Sequence, residues 1–277
     1  MAFKLKQKSV LPGFNLSFGI TIFYASLIVL IPLAAVFLRA SGLSFSEFVA
    51  AAFSERVLAS YKVTFLTAFA GAATNAFFGL ILAWVLTRYR FPGHRVADAL
   101  VDLPFALPTA VAGISLTAIY SKNGWVGEWL DKAFGLQVAY SELGIYVALT
   151  FIGLPFVVRT LQPVIEELEP EMEEAATTLG ASRWQTLYKV VFPQLLPALL
   201  TGFSLAFSRA LGEYGSVVFI SGNMPMRTEI TPLLIITKLH QYQYKEATAV
   251  AAVMLVASFI LLLIINLLQR WAERRTK

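Results

Sequence analysis

Between residues 63 and 87 the chain carries no Asp, Glu, Lys or Arg, and charge-free runs recur at 9–38, 103–121, 143–158 and 247–269. A further apolar stretch at 196–220 is interrupted only by Arg209 and Glu213. A helix needs about 20 apolar residues to cross a bilayer. Composition agrees, with 57% hydrophobic residues, 14% charged residues and a mean hydropathy of +0.69. The expected fold is therefore all-α, a polytopic membrane protein with six transmembrane helices, the fourth the shortest. Lys4, Lys6 and Lys8 ahead of the first run imitate a secretory signal, but the run is too long for a signal core and no small-residue cleavage pattern follows.

Basic residues orient the spans. With the amino terminus inside, thirteen Lys and Arg fall in inner flanks, Arg88, Arg90, Arg95 and Arg183 among them, against eight outside. Both termini are expected in the cytoplasm. Residues 41–60 read as an external amphipathic segment, and Trp125, Trp129 and Tyr140 suit an interfacial aromatic belt. No soluble domain, low-complexity tract or internal repeat stands out, so 1–277 reads as a single domain.

The longest polar interval lies between the fourth and fifth runs. Six glutamates (Glu166, Glu167, Glu169, Glu171, Glu173 and Glu174) fall within nine residues, of only 17 acids in the whole chain. Hydrocarbon does not accept that charge density, so the interval belongs in water or against another protein. Pro170 suits a first helical turn, with the acids complementing the positive end of the helix dipole. Met172, Ala176 and Leu179 recur on one face, opposite the glutamates. Gly180 is a stop signal, and Ser182 an N-cap for a second short helix ending before Pro193.

Catalytic signatures are absent. There is no phosphate-binding Gly-rich loop with its lysine, no Cys, and neither His94 nor His240 has a partner at metal-ligand spacing. No catalytic residue, metal or cofactor is expected, so ATP hydrolysis would need another chain. Two intramembrane stretches carry polar chemistry instead. Arg209 lies about halfway along the fifth run with Glu213 four residues on, either lining an anion pathway or forming a structural ion pair. Pro104 and Pro108 should break or kink the cytoplasmic start of the third run. Amides freed there, with the Thr109 and Ser115 hydroxyls, either face an oxyanion or belong to an ordinary kinked helix.

Glu174-Ala175-Ala176, then Gly180, then Val190, Phe192 and Pro193 resembles the EAA loop of binding-protein-dependent ABC importer permeases. That pattern is Glu-Ala-Ala, three residues, Gly, nine residues, Ile, one residue, Leu-Pro, with Val190 and Phe192 replacing Ile and Leu. The resemblance implies a MetI-like ABC permease fold, a core five-helix unit at 60–268, and a coupling loop at 166–193 that docks on a separate ATPase. Glu173, Glu174, Ala175, Ala176, Leu179, Gly180 and Arg183 would be the coupling residues.

With 87–93, 103–109, 155–160 and 208–215, nearly the whole chain is similar to the T-type permeases of sulfate/thiosulfate importers; Tyr214 departs from a more usual Phe. The implied partners are a W-type permease, two ABC ATPase subunits, a periplasmic sulfate/thiosulfate-binding protein and membrane lipid, with no nucleic acid, in a bacterial inner membrane. A molybdate or tungstate permease is the nearest alternative. An ion-coupled secondary transporter using Arg209 and Glu213 as a charge relay is the rival from another class.

Overall fold

The computed structural model describes residues 13–276, so Lys4, Lys6, Lys8 and Lys277 lie outside the described residues. Every regular element among those residues is helical. The first run forms α1 (Phe14–Ala25), a π-helical turn (Ser26–Leu30) and α2 (Ile31–Ala40). After α3 (Phe45–Ala52) comes the long α4 (Glu55–Arg88), then α5 (His94–Val101), α6 (Leu103–Ala106), α7 (Thr109–Tyr120), α8 (Trp125–Phe134) and α9 (Glu142–Glu166). The polar interval holds α10 (Pro170–Thr178) and α11 (Arg183–Thr186), and a second π-helical turn (Leu187–Val191) leads into α12 (Phe192–Leu211). The chain closes with α13 (Val217–Ile220), α14 (Thr231–His240) and α15 (Tyr244–Thr276).

Packing centres on α4, α9 and α12, whose facing sides supply most of the buried apolar residues, including Ala68, Ile145, Leu161 and Leu195. Apolar burial gives little drive between helices that start in lipid, so close van der Waals approach and polar contacts must hold them. Glycine provides the approach. A Cβ at Gly79 would lie 2.9 Å from the Val157 side chain, and one at Gly202 would lie 2.9 Å from the Val157 Cα. Thus α4 and α12 both close on the same turn of α9. The outward faces carry Phe77, Phe78, Ile81 and Phe259, all exposed, as a lipid-facing surface requires.

Five helices are long and apolar enough to cross a membrane: Leu16–Ala40, Glu55–Arg88, Glu142–Glu166, Arg183–Leu211 and Tyr244–Arg270. The third run is interrupted at its two prolines, as their spacing leads one to expect. Leu107, preceding Pro108, is extended, as proline steric demands favour, and splits it into α6 and the 12-residue α7. The fourth is not the shortest, because α9 continues past Arg159 for 25 residues in all. Its arginine is neutralised by carboxylates rather than ending the helix. The fifth run stops at Leu211, which puts Arg209 in the last turn and not halfway along. Residues 55–60 belong to α4, so the segment at 41–60 contributes only α3, whose start is held by a reciprocal cap between Ser44 and Glu47.

Gly202→Val should destabilise the chain by roughly 1–3 kcal/mol, because overpacking against the α9 backbone cannot be relieved by a rotamer change. Gly19→Ala, whose added methyl meets nothing within 4 Å, should be close to neutral. Thermal unfolding of the detergent-purified chain checks the contrast.

Candidate functional site

The polar stretches singled out in the third and fifth runs meet in space. Beyond the end of α12, Glu213 turns back so that its Oε1 accepts from the Ser216 backbone N–H at 2.9 Å and the Ser216 hydroxyl at 3.1 Å. Its other oxygen pairs with Arg209, whose side chain keeps 34% exposure while that of Glu213 keeps 1%. Such local side-chain bonding competes with helix continuation and accounts for the stop at Leu211. The turn lies directly on the start of α7. A Cβ at Gly215 would come within 2.1 Å of the Thr109 Oγ1, and one at Gly113 within 2.4 Å of the Ser216 carbonyl oxygen.

Pro104 is buried in α6, and the neighbouring Phe105 ring meets Phe156 of α9 edge-on at 5.0 Å. Pro108 and Ser115 are exposed, so they are not gathered into the buried turn. Arg209, Glu213 and Thr109 therefore belong to one constellation, and Ser115 offers its hydroxyl to the outside of the chain.

Two ion-pair nodes escaped the sequence reading. Arg159 donates to Asp102 at 2.8 and 2.6 Å, to the Asp98 carboxylate at 2.7 Å, to the Asp98 carbonyl at 2.9 Å and to Gln162 at 2.6 Å. It clamps α5 and the start of α6 to α9, just ahead of the break at Leu107. The only available signal was the Asp98–Asp102 spacing of four beside a lone arginine in an apolar run. The second node joins Arg56 at the head of α4 to buried Glu229 through two 2.7 Å bonds. Two residues on, the Thr64 hydroxyl accepts from the Thr231 N–H at 2.8 Å and caps α14 from α4.

The glutamate-rich segment, expected to couple to an ATPase, forms as the sequence suggests at its centre and differs at its ends. Gly180 adopts φ 81° and closes α10, with Ala181 N–H donating to the Ala176 carbonyl at 3.0 Å. Ser182 caps α11 through a reciprocal box with Gln185. That second helix does not end before Pro193: the π-helical turn carries it into α12, where the proline sits in the first turn. The apolar face opposite most of the glutamates is open. Leu179 is 88% exposed and Trp184 79% exposed, while Met172 is also largely open. Glu173 instead faces the body, accepting from Arg88 at 2.7 Å, with the Arg88 guanidinium 5.1 Å above the Trp84 ring. Glu174, Ala175 and Arg183 are exposed and Ala176 is half-buried. A membrane-anchored helix pair thus presents large apolar side chains to water, the configuration of an interface without its partner.

The pattern of the family described as "Binding-protein-dependent transport system inner membrane component" matches residues 75–277. The chain belongs to this family. It is 51% identical over 273 residues to the sulfate transport system permease protein CysT of Escherichia coli K12, covering 99% of this chain and 98% of that one. It is 49% identical over 271 residues to CysT of Synechocystis sp., covering 98% and 94%. In fold it is similar to a chain of a bacterial ABC transporter that imports the acidic polysaccharide alginate, with a TM-score of 0.76, 16% identity and coverage of 92% and 94%. The chain is an inner-membrane permease and not itself an enzyme. Permeases of this family work beside ATPase subunits and substrate-binding proteins.

Removing the Glu213 carboxylate leaves Arg209 and the Ser216 donors unpaired. Glu213→Ala should lower stability by about 1–3 kcal/mol, below the cost for a fully buried pair because Arg209 is partly solvated. Glu213→Gln, which keeps an acceptor for Ser216, should cost less, as thermal unfolding of the two variants will show.

A pH effect follows from the Arg159 node. The Asp98 carboxyl is held below its ordinary range, first by the hydrogen bond from Arg159 and then by Gln162, with burial opposing. The unfolded chain therefore binds this proton more readily. The contribution is complete above the ordinary aspartate value of about 3.9 and drains away as pH falls through the folded value. Asp98→Asn should lower stability near neutrality and flatten the loss below about pH 4, measured as melting temperature against pH.

Proposed function

We propose that the chain is the T-type transmembrane subunit of an ATP-driven sulfate/thiosulfate importer. The observation that carries this reading is near-full-length likeness, at 51% identity, to a sulfate transport permease. On this reading the partners are a W-type permease, two ABC ATPases and a periplasmic anion-binding protein. The chain crosses the membrane six times with the broken α6–α7 pair as the third crossing, and both termini are cytoplasmic. The whole chain forms one permease domain, its core at 60–268.

The α10–α11 segment is the coupling element. ATP-driven closure of the ATPases moves it as a body, and its attachments carry the motion inward: Glu173 to Arg88 of α4, and Met172, whose sulfur accepts from Gln194 of α12 at 3.4 Å. The moving helices bear the turn at 212–216 against α7 and so switch the pathway between inward-open and outward-open arrangements. Arg209 is the cation nearest that turn, and its charge is offset by Glu213. A neutralised guanidinium attracts a divalent oxyanion without trapping it. Exposed Ser115 and half-buried Thr109 add hydroxyl donors, Pro104 and Pro108 set the break that presents them, and the delivering protein supplies most of the selectivity.

Labelled-sulfate uptake tests this in cells that lack other sulfate importers and express the chain with its neighbouring permease, ATPase and binding protein. Uptake should require the ATPase and be competed by thiosulfate but little by molybdate. Leu179→Glu should abolish uptake and ATPase co-purification while leaving the melting temperature unchanged, because that side chain packs against almost nothing within the chain. Strong competition by molybdate would reassign the substrate, and ATPase-independent uptake would overturn the importer reading.

A further inference from the structure

Where α4 ends at Arg88, the chain loops back through residues 89–93 into α5 and borders an open cleft of about 640 Å³. That volume lies within the usual range for small-molecule sites. Its lining includes Arg90, Arg95, His94 and Thr87, with Glu166 as the acid. The Arg90 and Arg95 side chains have no ion-pair partner among the described residues. The His94 ring is fixed by a 2.6 Å contact between Nε2 and the Leu86 carbonyl. Two unpaired, exposed guanidinium groups are the donor set for a phosphate-type monoanion.

The surroundings identify the source of that anion. Helix α5 turns Val96 (64% exposed) and Leu100 (59% exposed), one helical turn apart, to the outside beside Arg95. Tyr89 and Phe91 are exposed on the adjoining loop. Apolar side chains on a short amphipathic helix, aromatic rings and unpaired arginines at the end of a spanning helix form an interfacial surface. Basic pockets between membrane helices bind anionic headgroups.

We propose that this cleft is a binding site for the phosphodiester headgroup of an anionic phospholipid, with Arg90 and Arg95 as its ligands and the exposed face of α5 resting on the acyl region. The site lies on the α4 end that also holds the coupling segment through Arg88 and Glu173. Bound lipid therefore steadies the loop from which α4 meets that segment. The Glu166 carboxylate limits affinity, which suits an exchanging annular lipid better than a permanent cofactor.

The test is native mass spectrometry of the detergent-purified full chain titrated with phosphatidylglycerol or phosphatidylcholine, with melting temperatures followed in parallel. Its readouts do not depend on which anion is transported. Phosphatidylglycerol should bind in preference to phosphatidylcholine, and Arg90→Gln/Arg95→Gln should weaken it about 30-fold, the contribution of two arginines near an anionic surface. Arg90→Lys/Arg95→Lys should retain most of the preference, and Glu166→Gln should strengthen binding. A preference unchanged in the double glutamine variant would overturn the site. Equal protection by millimolar inorganic phosphate in phosphatidylcholine nanodiscs would overturn the lipid assignment in favour of a free anion.

Discussion

Everything in this chain hangs on how closely α4, α9 and α12 approach one another. In lipid, the apolar faces of these helices would be equally well solvated apart, so contact must be won at short range. Gly79 and Gly202 bring both flanking helices onto Val157 of α9. On α4, Asn75 sits fully buried against the face of Gly153. Neither its amide nitrogen nor its oxygen has a partner among the described residues. A polar group left so exerts no lateral hold of its own, and the seam there depends on shape.

That rigid trio allows the rest of the chain to be irregular. Non-helical backbone at membrane depth is tolerated only where protein or a wet cavity covers it. The two interruptions cover each other. The break between α6 and α7 presents Thr109 and Gly113, and the turn after α12 presents Gly215 and the Ser216 carbonyl to them. Glu213 supplies the acceptor for the backbone N–H of Ser216. At the opposite side of the break Arg159 binds both aspartates of the α5–α6 run, and at the head of α4 the Arg56–Glu229 pair anchors the segment leading to α14. Each irregular segment is thus tied to a core helix by an ionic node: Glu213 on Arg209, Asp98 and Asp102 on Arg159, and Glu229 on Arg56.

Much of this was legible in the sequence, for reasons that differ from part to part. Long charge-free runs announce helices, and Gly180 and Ser182 announced the end of one short helix and the start of another because capping is local chemistry. Lengths were misjudged wherever charge was treated as a boundary. Arg159 lies inside α9 because Asp98 and Asp102, 61 and 57 residues earlier in the chain, meet it. The stop at Leu211 went unread because Glu213 was taken as a helical neighbour of Arg209, when its carboxylate binds the backbone beyond. The apolar spacing in α10 carried a different kind of information. Apolar spacing marks a face to be covered, but it does not tell whether this chain or another one covers it.

The exposed face of α10–α11 is therefore the most informative misfit. With Leu179 and Trp184 in water, the segment gains little from the fold of its own chain. Its position rests on Arg88, on the Gln194 contact and on continuity through the π-helical turn into α12. The buried Arg88 Nε and Thr186 Oγ1 lack partners at this junction. A joint with few apolar contacts and unsatisfied donors has no deep single minimum, whereas the trio it joins is close-packed. On the coupling role proposed for it, motion imposed on the segment would be taken up at the joint as rotation and passed to α4 and α12 as whole helices. Because α12 ends in the Glu213 turn that lies on α7, displacement at its first residues must appear as a changed fit at its last.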